Sequence, residues 1–347
     1  AEKADGKEEG KRKVREGLQE EEDTGNERKG KEEEEEEEEV LLPFMVTSFK
    51  GGMPLTMLRP RLPEEAWKRV AIFLGEHLAA VHALPVHGHR TVWQDMEDAL
   101  EHSEAPVDER STSGDGWGAW RPFLSFFEIR KKSMWRTLME SGLLPQRLME
   151  ELPPYLPEGL QALVAEGGGQ SPSQPLGCPR WLHGDPTGFN VLLSEGKGDG
   201  AAAAAAESRP TALLDLGDAG HGDPLYDIVT VHMAIFRCNS SLLRLFMQAY
   251  RQTFQNIAQE HSNMRLTLAN SGTSGHVRRP SLPKPWWLTG SEGGGRRRGV
   301  PLERVATCYL LLHKQELISR VWKEMPCGRA AESFHAVEEF LWSGLSP

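Results

Sequence analysis

The sequence predicts an α+β fold in which long helices surround a few short strands. Apolar side chains recur at helical spacing in several long segments of the chain. Three short apolar runs, at residues 181–182, 191–193 and 212–214, each have the length of a short strand and follow one another closely. We therefore expect a mostly helical body, with the strands clustered around residues 181–215.

The first forty residues differ in composition from the rest of the chain. They carry 9 basic and 18 acidic side chains, whereas the whole chain has 40 Lys and Arg against 51 Asp and Glu. Because like-charge blocks repel each other and stay solvated, we expect residues 1–40 to be a disordered, acidic, low-complexity tail. The remaining body is nearly neutral. Since it has no basic surplus to neutralise phosphates, we expect no nucleic-acid partner.

The predicted order begins with an apolar, partly β-branched segment at residues 41–49, which is typical of a buried strand. Two glycines follow it and indicate a turn. A helix is then signalled by Pro63 and the two glutamates after it, because proline suits the first helical turn and acidic side chains favour the positive end of the helix dipole. Pro85 stops this helix.

The same helical spacing predicts further helices along the chain. They are expected at residues 123–144, 226–253, 305–322 and 333–342. Stretches rich in Gly, Ser, Pro or Ala predict low-complexity insertions near residues 166–177, 196–208 and 262–299. We expect the last two insertions to be flexible, because their composition buries too little apolar surface to offset the entropy of ordering.

Two polar loops carry the residues that are suited to chemistry. The first contains His183, Gly184 and Asp185, with Asn190 five residues after the aspartate, and lies between two of the apolar runs. The second begins at Asp215, directly after the third run. Phosphoryl transfer needs a carboxylate that accepts the hydroxyl proton, and an amide oxygen with a second carboxylate that holds Mg²⁺. We expect the strands to bring Asp185, Asn190 and Asp215 to one such centre.

These two loops resemble the catalytic and metal-binding motifs of the aminoglycoside phosphotransferase (APH)/choline kinase-like family. The matching stretches are His183-Gly-Asp185-x4-Asn190 and Asp215-Leu-Gly-Asp-Ala-Gly-His-Gly-Asp223-Pro-Leu-Tyr-Asp227. The helix that ends in Leu-Ala-Ala-Val-His82-Ala-Leu is similar to another motif of that family. The sequence is most similar to the kinase-like domain that accompanies F-box and jumonji-C domains in some plant and algal proteins.

The resemblance implies a protein kinase-like (APH-type) fold with a mostly helical C-lobe and a truncated N-lobe. The N-lobe would be reduced to a strand and hinge at residues 41–62, and the C-lobe would occupy residues 63–347. The resemblance also implies an ATP- and Mg²⁺-dependent transfer of phosphate to a hydroxyl of a small molecule.

The resemblance assigns a role to each site residue. Asp185 would be the catalytic base, while Asn190 and Asp215 would bind Mg²⁺. The backbone at Thr47, Ser48 and Phe49 would contact the adenine of ATP. His183 would be a structural residue of the catalytic loop, and Asp223 and Asp227 would brace the second loop.

The sequence departs from the family pattern before the hinge. A glycine-rich loop and a strand lysine hold the ATP phosphates in this family, but only the acidic tail precedes residue 41 here. We therefore expect either a piece of a longer protein, with F-box or jumonji-C neighbours in the same chain, or a degenerate kinase. A non-catalytic pseudokinase that serves as a binding module is one alternative function.

The second alternative is a 2-oxoglutarate/Fe(II) oxygenase. His183 and Asp185 fit the first two ligands of a 2-His-1-carboxylate iron site, with His221 or His232 as the third. That chemistry needs a double-stranded β-helix of about eight strands, and this sequence offers few strands.

Two expectations concern the setting of the protein. The sequence has no apolar run long enough to span a membrane and no apolar signal-peptide core, so we expect no membrane partner. The four widely spaced cysteines suit a reducing compartment. We therefore expect a cytoplasmic or nuclear protein.

Overall fold

The computed structural model describes residues 51–86, 117–165, 175, 178–194, 196–270, 300–314, 317–324, 331–343 and 345. These residues belong to a single compact unit, Phe49–Pro347. The expected acidic tail and the expected strand at residues 41–49 lie outside the described residues. Within the described part of the chain, no helix is long and apolar enough to cross a membrane.

The helices surround two small antiparallel sheets, as the sequence predicts. Strands β1 (Met53–Pro54), β3 (Val191–Leu193) and β4 (Pro210–Leu213) form one sheet in the order β1-β3-β4. Strands β2 (Arg180–Leu182) and β5 (Gly220–Gly222) form the other. The sequence did not predict β1 or β5, because both are too short and too polar or glycine-rich to show a strand pattern.

The helices begin with a short turn, α1 (Leu55–Leu58), and the long helix α2 (Glu64–His82). Helices α3 (Arg121–Ser141) and α4 (Gln146–Tyr155) follow. After the strands come α6 (Leu225–Thr230), α7 (Ser240–Asn270), α8 (Leu302–Leu312), α9 (Leu317–Glu324) and α10 (Phe334–Trp342). Helix α5 (Ala201–Glu207) lies between β3 and β4.

Helix α2 contributes to the core and packs against α7. Its apolar stripe, which includes Val70, Leu74 and Leu78, is fully buried. Gly75 makes this close packing possible: a Cβ at that position would lie 2.5 Å from the carbonyl oxygen of Phe246 in α7. The expected helix after Pro63 is therefore confirmed, and its buried face supports the residues of the two polar loops.

The expected single helix at residues 226–253 is wrong, because the chain breaks between α6 and α7. A π-helical segment, Val231–Ile235, follows α6, and Arg237 and Cys238 then adopt left-handed φ angles of 49° and 62°. Asn239 restarts the helix, since its Oδ1 accepts hydrogen bonds from the N–H groups of Ser241 and Leu242. The expected helix at residues 305–322 is likewise interrupted after Leu312.

Two of the expected insertions contain helices. The alanine tract at residues 196–208 forms α5, because consecutive alanines have the highest helix propensity. The insertion expected at residues 262–299 starts too early, because α7 continues to Asn270; residues 271–299 lie outside the described part. Of residues 166–177 the structure describes Pro175, which bridges to Ala165.

Candidate active site

The first polar loop, residues 183–190, connects β2 to β3 and is held by its own hydrogen bonds. The Asp185 carbonyl accepts from the N–H of Thr187 at 2.8 Å, and the Thr187 carbonyl accepts from the N–H of Asn190 at 3.0 Å. The Asn190 Nδ2 donates to the Asp185 carbonyl at 2.8 Å and to its carboxylate Oδ2 at 3.2 Å. The predicted base and one predicted metal ligand are therefore in direct contact.

The second loop follows β4 and lies directly against the first. The Leu214 N–H donates to the carbonyl of Asn190 at 2.7 Å. In the opposite direction, Nε2 of His183 donates to the carbonyl of Leu214 at 2.8 Å. Because Asp215 is the next residue after Leu214, these two bonds place it beside the first loop. The structure thus brings all three predicted chemical residues into adjoining positions.

Asp215 has an unusual backbone conformation. Its φ is 63°, in the left-handed region that aspartate tolerates better than most residues. Its Oδ1 accepts a hydrogen bond from the N–H of Gly217 at 3.1 Å, and the residue is exposed. The sharp turn after β4 therefore leaves this carboxylate accessible from solvent.

The two loops also touch at Gly184. This glycine has a φ of 80°, and a Cβ there would lie 2.0 Å from the carbonyl oxygen of Asp218. Only glycine permits this approach. The Asp218 carboxylate pairs with Lys314 Nζ at 2.7 Å, and this lysine follows α8. The segment that follows α8 therefore contacts the second loop directly.

Asp227 holds the first loop in place through two hydrogen bonds to its backbone. Its Oδ2 accepts from the N–H of His183 at 2.7 Å, and its Oδ1 accepts from the N–H of Gly184 at 3.0 Å. The sequence analysis expected Asp227 to brace the second loop. The carboxylate lies against the first loop instead, because it accepts the two N–H groups of residues 183 and 184.

A buried histidine completes this support. His82, at the end of α2, contacts Asp227 Oδ2 through Nε2 at 3.0 Å and the Tyr250 hydroxyl through Nδ1 at 2.8 Å. Burial raises the pKa of Tyr250 well above its usual value, so the hydroxyl keeps its proton and can donate to the histidine. All three side chains are fully buried. The sequence analysis included His82 in a family motif but did not predict its contact with the site. The feature that points to it is a histidine that continues the apolar face of a helix.

Asp223 makes hydrogen bonds to α6 and α8 rather than to the first loop. Its Oδ1 accepts from the N–H of Leu225 at 3.0 Å, which caps α6, and its Oδ2 accepts from the Tyr309 hydroxyl at 3.1 Å. The side chain therefore ties the start of α6 to α8. Burial also raises the pKa of Tyr309 well above its usual value, so that its hydroxyl remains a donor.

Two histidines of the oxygenase alternative, His183 and His232, make hydrogen bonds to the backbone. Nε2 of His183 donates to Leu214, as described above, and its Nδ1 accepts from the N–H of Asp185 at 3.3 Å. Nε2 of His232 donates to the Leu341 carbonyl at 2.7 Å. No group of three or more His, Cys, Asp or Glu side chains in the described ranges is arranged to hold a metal ion. The described strands form sheets of three and two strands rather than an eight-stranded β-helix.

Thr47, Ser48 and Phe49, the predicted adenine contacts, lie outside the described residues. Their role stays a prediction.

Comparison with known proteins decides the family. The family model "Phosphotransferase enzyme family" matches residues 28–261, which is more than half of the chain and includes both loops. The chain belongs to this family. Its kinase-like fold is therefore established, with the α+β composition and mostly helical body that the sequence predicted.

A curated relative of this family member is lysine-specific demethylase JMJ21 from Arabidopsis thaliana. The two are 23% identical over 313 residues, which cover 88% of this chain and 29% of the demethylase. The chain thus spans less than a third of that relative. The similarity agrees with the jumonji association that the sequence analysis expected.

Two solved structures of aminoglycoside phosphotransferases are also similar. A GDP complex of a mutant aminoglycoside 2'-phosphotransferase-IIIa is 17% identical and has a TM-score of 0.34, over 80% of this chain and 67% of the other. ADP-bound APH(2'')-Ib is 12% identical and has a TM-score of 0.31, over 79% and 71% respectively.

Proposed function

We propose that this chain is a phosphotransferase unit that moves the γ-phosphate of ATP to a hydroxyl group of a small molecule. The observation that carries the proposal is the pair of hydrogen bonds that join the loops, from Leu214 to Asn190 and from His183 to Leu214. They join the loop of Asp185 and Asn190 to the residue before Asp215, which supports a common site for the three side chains. Phosphoryl transfer depends on such positioning more than on reactive side chains.

The residues present fit a magnesium ion. Mg²⁺ prefers oxygen ligands and keeps several waters, so two protein ligands are enough. The carboxamide Oδ1 of Asn190 can bind the ion, because Nδ2 of the same side chain donates a hydrogen bond to Asp185. The exposed carboxylate of Asp215 is the second ligand. When bound there, the ion would neutralise charge on the nucleotide phosphates.

Asp185 is the proposed proton acceptor. In the transfer, the oxygen of the acceptor hydroxyl forms a bond to the γ-phosphorus, and the bond from that phosphorus to the bridging oxygen of ADP breaks. ADP leaves with the bonding electrons, and the hydroxyl proton passes to the Asp185 carboxylate. The Nδ2 of Asn190 orients this carboxylate by donating to its Oδ2. The backbone of residues 47–49 is the proposed contact for adenine.

We also propose that this phosphotransferase unit belongs to a larger protein. The similarity to a demethylase that is more than three times longer supports a phosphotransferase unit within a larger, cytoplasmic or nuclear protein. A jumonji-C or F-box domain is the proposed neighbour in that protein.

The proposal is tested by measuring nucleotide binding and turnover separately. We expect Asp185→Asn to bind magnesium–ATP as the wild type does, because the residue accepts a proton rather than a metal, while its transfer of phosphate to a set of small alcohols falls at least about a hundredfold. Asp199→Asn, on the exposed segment after β3, is the matched control and should keep full turnover.

Two results would contradict the proposal. Full turnover by Asp185→Asn would remove the assigned base. Binding of nucleotide by the wild type without transfer to any alcohol would favour the non-catalytic pseudokinase.

A further inference from the structure

Lys314 lies on the short segment that follows α8, and its side chain contacts the second loop. Its Nζ pairs with Oδ2 of Asp218 at 2.7 Å. The lysine side chain is 22% exposed and the aspartate side chain 46% exposed, so the pair is partly accessible from solvent. A lysine from the C-terminal part of the chain is thereby attached to the loop that carries Asp215.

The segment that carries Lys314 is held by the core. The residue before it, His313, is fully buried, and its carbonyl accepts a hydrogen bond from Nη2 of Arg130 in α3 at 2.9 Å. The ring of His313 contacts the hydroxyl of Thr230 in α6 through Nε2 at 2.7 Å. The same ring stacks on Tyr226, with 4.5 Å between the two ring centroids. These contacts fix the backbone from which the lysine side chain extends.

Asp218 lies close to the residues that are assigned to phosphate chemistry. A Cβ on Gly184 would be 2.0 Å from the carbonyl oxygen of Asp218, so this aspartate touches the residue that precedes Asp185. On its own loop it follows Asp215 by three residues, and their Cα atoms are therefore at most about 11 Å apart. Asp218 is thus a neighbour of both loops of the proposed centre.

The two adjoining loops carry three carboxylates, at Asp185, Asp215 and Asp218. Asp185 and Asp215 have roles in the proposed reaction, whereas Asp218 has none. Magnesium–ATP is an anion, so an unpaired carboxylate near its phosphates would repel it. The pair with Lys314 offsets the charge of the one aspartate that the reaction does not use.

We propose that Lys314 is a positioning residue for nucleotide binding that acts through Asp218. It holds and neutralises the Asp218 carboxylate, so that the anionic phosphates of the nucleotide can bind at the two loops. This inference rests on the proposed phosphotransferase function. It gives the segment after α8 a part in nucleotide binding, although the family motifs lie in residues 183–227.

The first test compares the binding of magnesium–ATP and of adenosine to the full chain by NMR titration. We expect Lys314→Met to weaken binding of magnesium–ATP about threefold at an ionic strength of about 0.01 M, where charges interact over about 30 Å. At about 1 M salt, where the screening length is about 3 Å, the difference should disappear. The affinity for adenosine, which has no phosphates, should not change.

Two results of this titration would overturn the proposal. One is equal affinity of Lys314→Met and wild type for magnesium–ATP at the low ionic strength. The other is an equal loss of affinity for adenosine and for magnesium–ATP, because a structural defect affects both ligands whereas a charge affects only the phosphates.

Further variants separate the charge of the lysine from its shape. Lys314→Arg keeps the charge and should bind magnesium–ATP as the wild type does. Lys314→Met combined with Asp218→Asn should recover the wild-type affinity, because no unpaired carboxylate remains. The matched control is Lys68→Met, which breaks pairs with Glu64 and Glu65 on α2 and should leave the affinity unchanged. A loss that persists in the double variant would overturn the proposal, since the lysine would then not act through Asp218.

The failure of this inference can be distinguished from the failure of the proposed function. Phosphate transfer by the wild type, together with unchanged nucleotide affinity in Lys314→Met, would reject the role of Lys314 and leave the phosphotransferase function standing. A wild type that binds no magnesium–ATP would contradict both.

Discussion

Asp227 shows how one buried side chain can position a reactive loop although it lies outside that loop in the sequence. Its carboxylate accepts two backbone N–H groups of the first loop and contacts His82, all away from water. A buried carboxylate is stable only when its charge is compensated in this way. Asp185 therefore owes its position to residues that cannot touch a substrate.

We predict that Asp227→Ala lowers the free energy of unfolding by about 3–5 kcal/mol, because it leaves Nε2 of His82 and two backbone N–H groups unpaired in the interior. The matched control is Asp218→Ala, which removes a partly exposed pair with Lys314 and should cost less than about 1 kcal/mol. Urea unfolding measures both. Equal effects of the two variants would contradict the assigned role of Asp227.

His232 makes stability depend on pH. Burial lowers its pKa to about 4, and Nδ1 has no hydrogen-bond partner among the described residues. An unfolded histidine titrates near pH 6.5. Between these two values the unfolded chain binds a proton that the folded chain does not, so stability falls as the pH is lowered from about 6.5 to 4.

We predict that lowering the pH from 7.5 to 5 costs the wild type about 2 kcal/mol more than it costs His232→Gln, which does not titrate. The glutamine amide can still donate to Leu341. His335→Gln, on the exposed face of α10, is the control and should follow the wild type. Chemical unfolding at the two pH values measures the difference. Parallel losses in wild type and His232→Gln would show that this histidine is not responsible.

At the residue scale, the sequence indicated which side chains would meet but not what holds them. Asp185, Asn190 and Asp215 stand at fixed spacings from short apolar runs, so the expectation that they converge rests on strand pairing. The contacts of His82, Tyr250 and Asp227 join residues as many as 168 positions apart. Such contacts depend on the packing of α2 against α7, which no local pattern encodes.

At the scale of elements, the clearest example is the alanine helix α5. A helix of seven residues is too short to be stable alone. It is attached to α2 by Arg69, which donates to the carbonyls of Ala206 and Ser208 at 2.5 and 3.2 Å. The low-complexity insertion is therefore ordered by a tertiary contact.

We predict that Arg69→Ala increases hydrogen exchange in α5 about tenfold, because a charged hydrogen bond at its C-terminal end is lost. Lys68→Ala, one residue earlier, removes pairs to Glu64 and Glu65 and should leave exchange in α5 unchanged. Hydrogen-exchange mass spectrometry measures both variants. Slow exchange in α5 without Arg69 would mean that the helix is stabilised in another way.

The elements that the sequence predicted well are those with long apolar stripes. Helices α2, α3 and α10 lie close to their expected bounds, because tertiary packing reinforces their pattern. The break between α6 and α7 was missed because Ile228, Ile235 and Leu242 keep helical spacing across it. Only the local backbone at Arg237 and Cys238 reveals the interruption.

At the scale of the whole molecule, the helices surround two small sheets whose loops meet at one place. Strand β3 pairs with both β1 and β4, and β2 pairs with β5, so that the loops after β2 and β4 lie side by side. This arrangement brings the proposed base and the proposed metal ligands onto adjoining loops.

The most direct test of this account is the magnesium dependence of ATP binding to the full chain, measured by calorimetric titration with and without Mg²⁺. We predict that magnesium strengthens binding to the wild type and to Asp199→Asn, but not to Asp215→Asn, which loses the charged ligand. Asp185→Asn should retain the magnesium effect. An equal magnesium effect in wild type and Asp215→Asn would contradict the central claim that the two loops form one metal–phosphate centre.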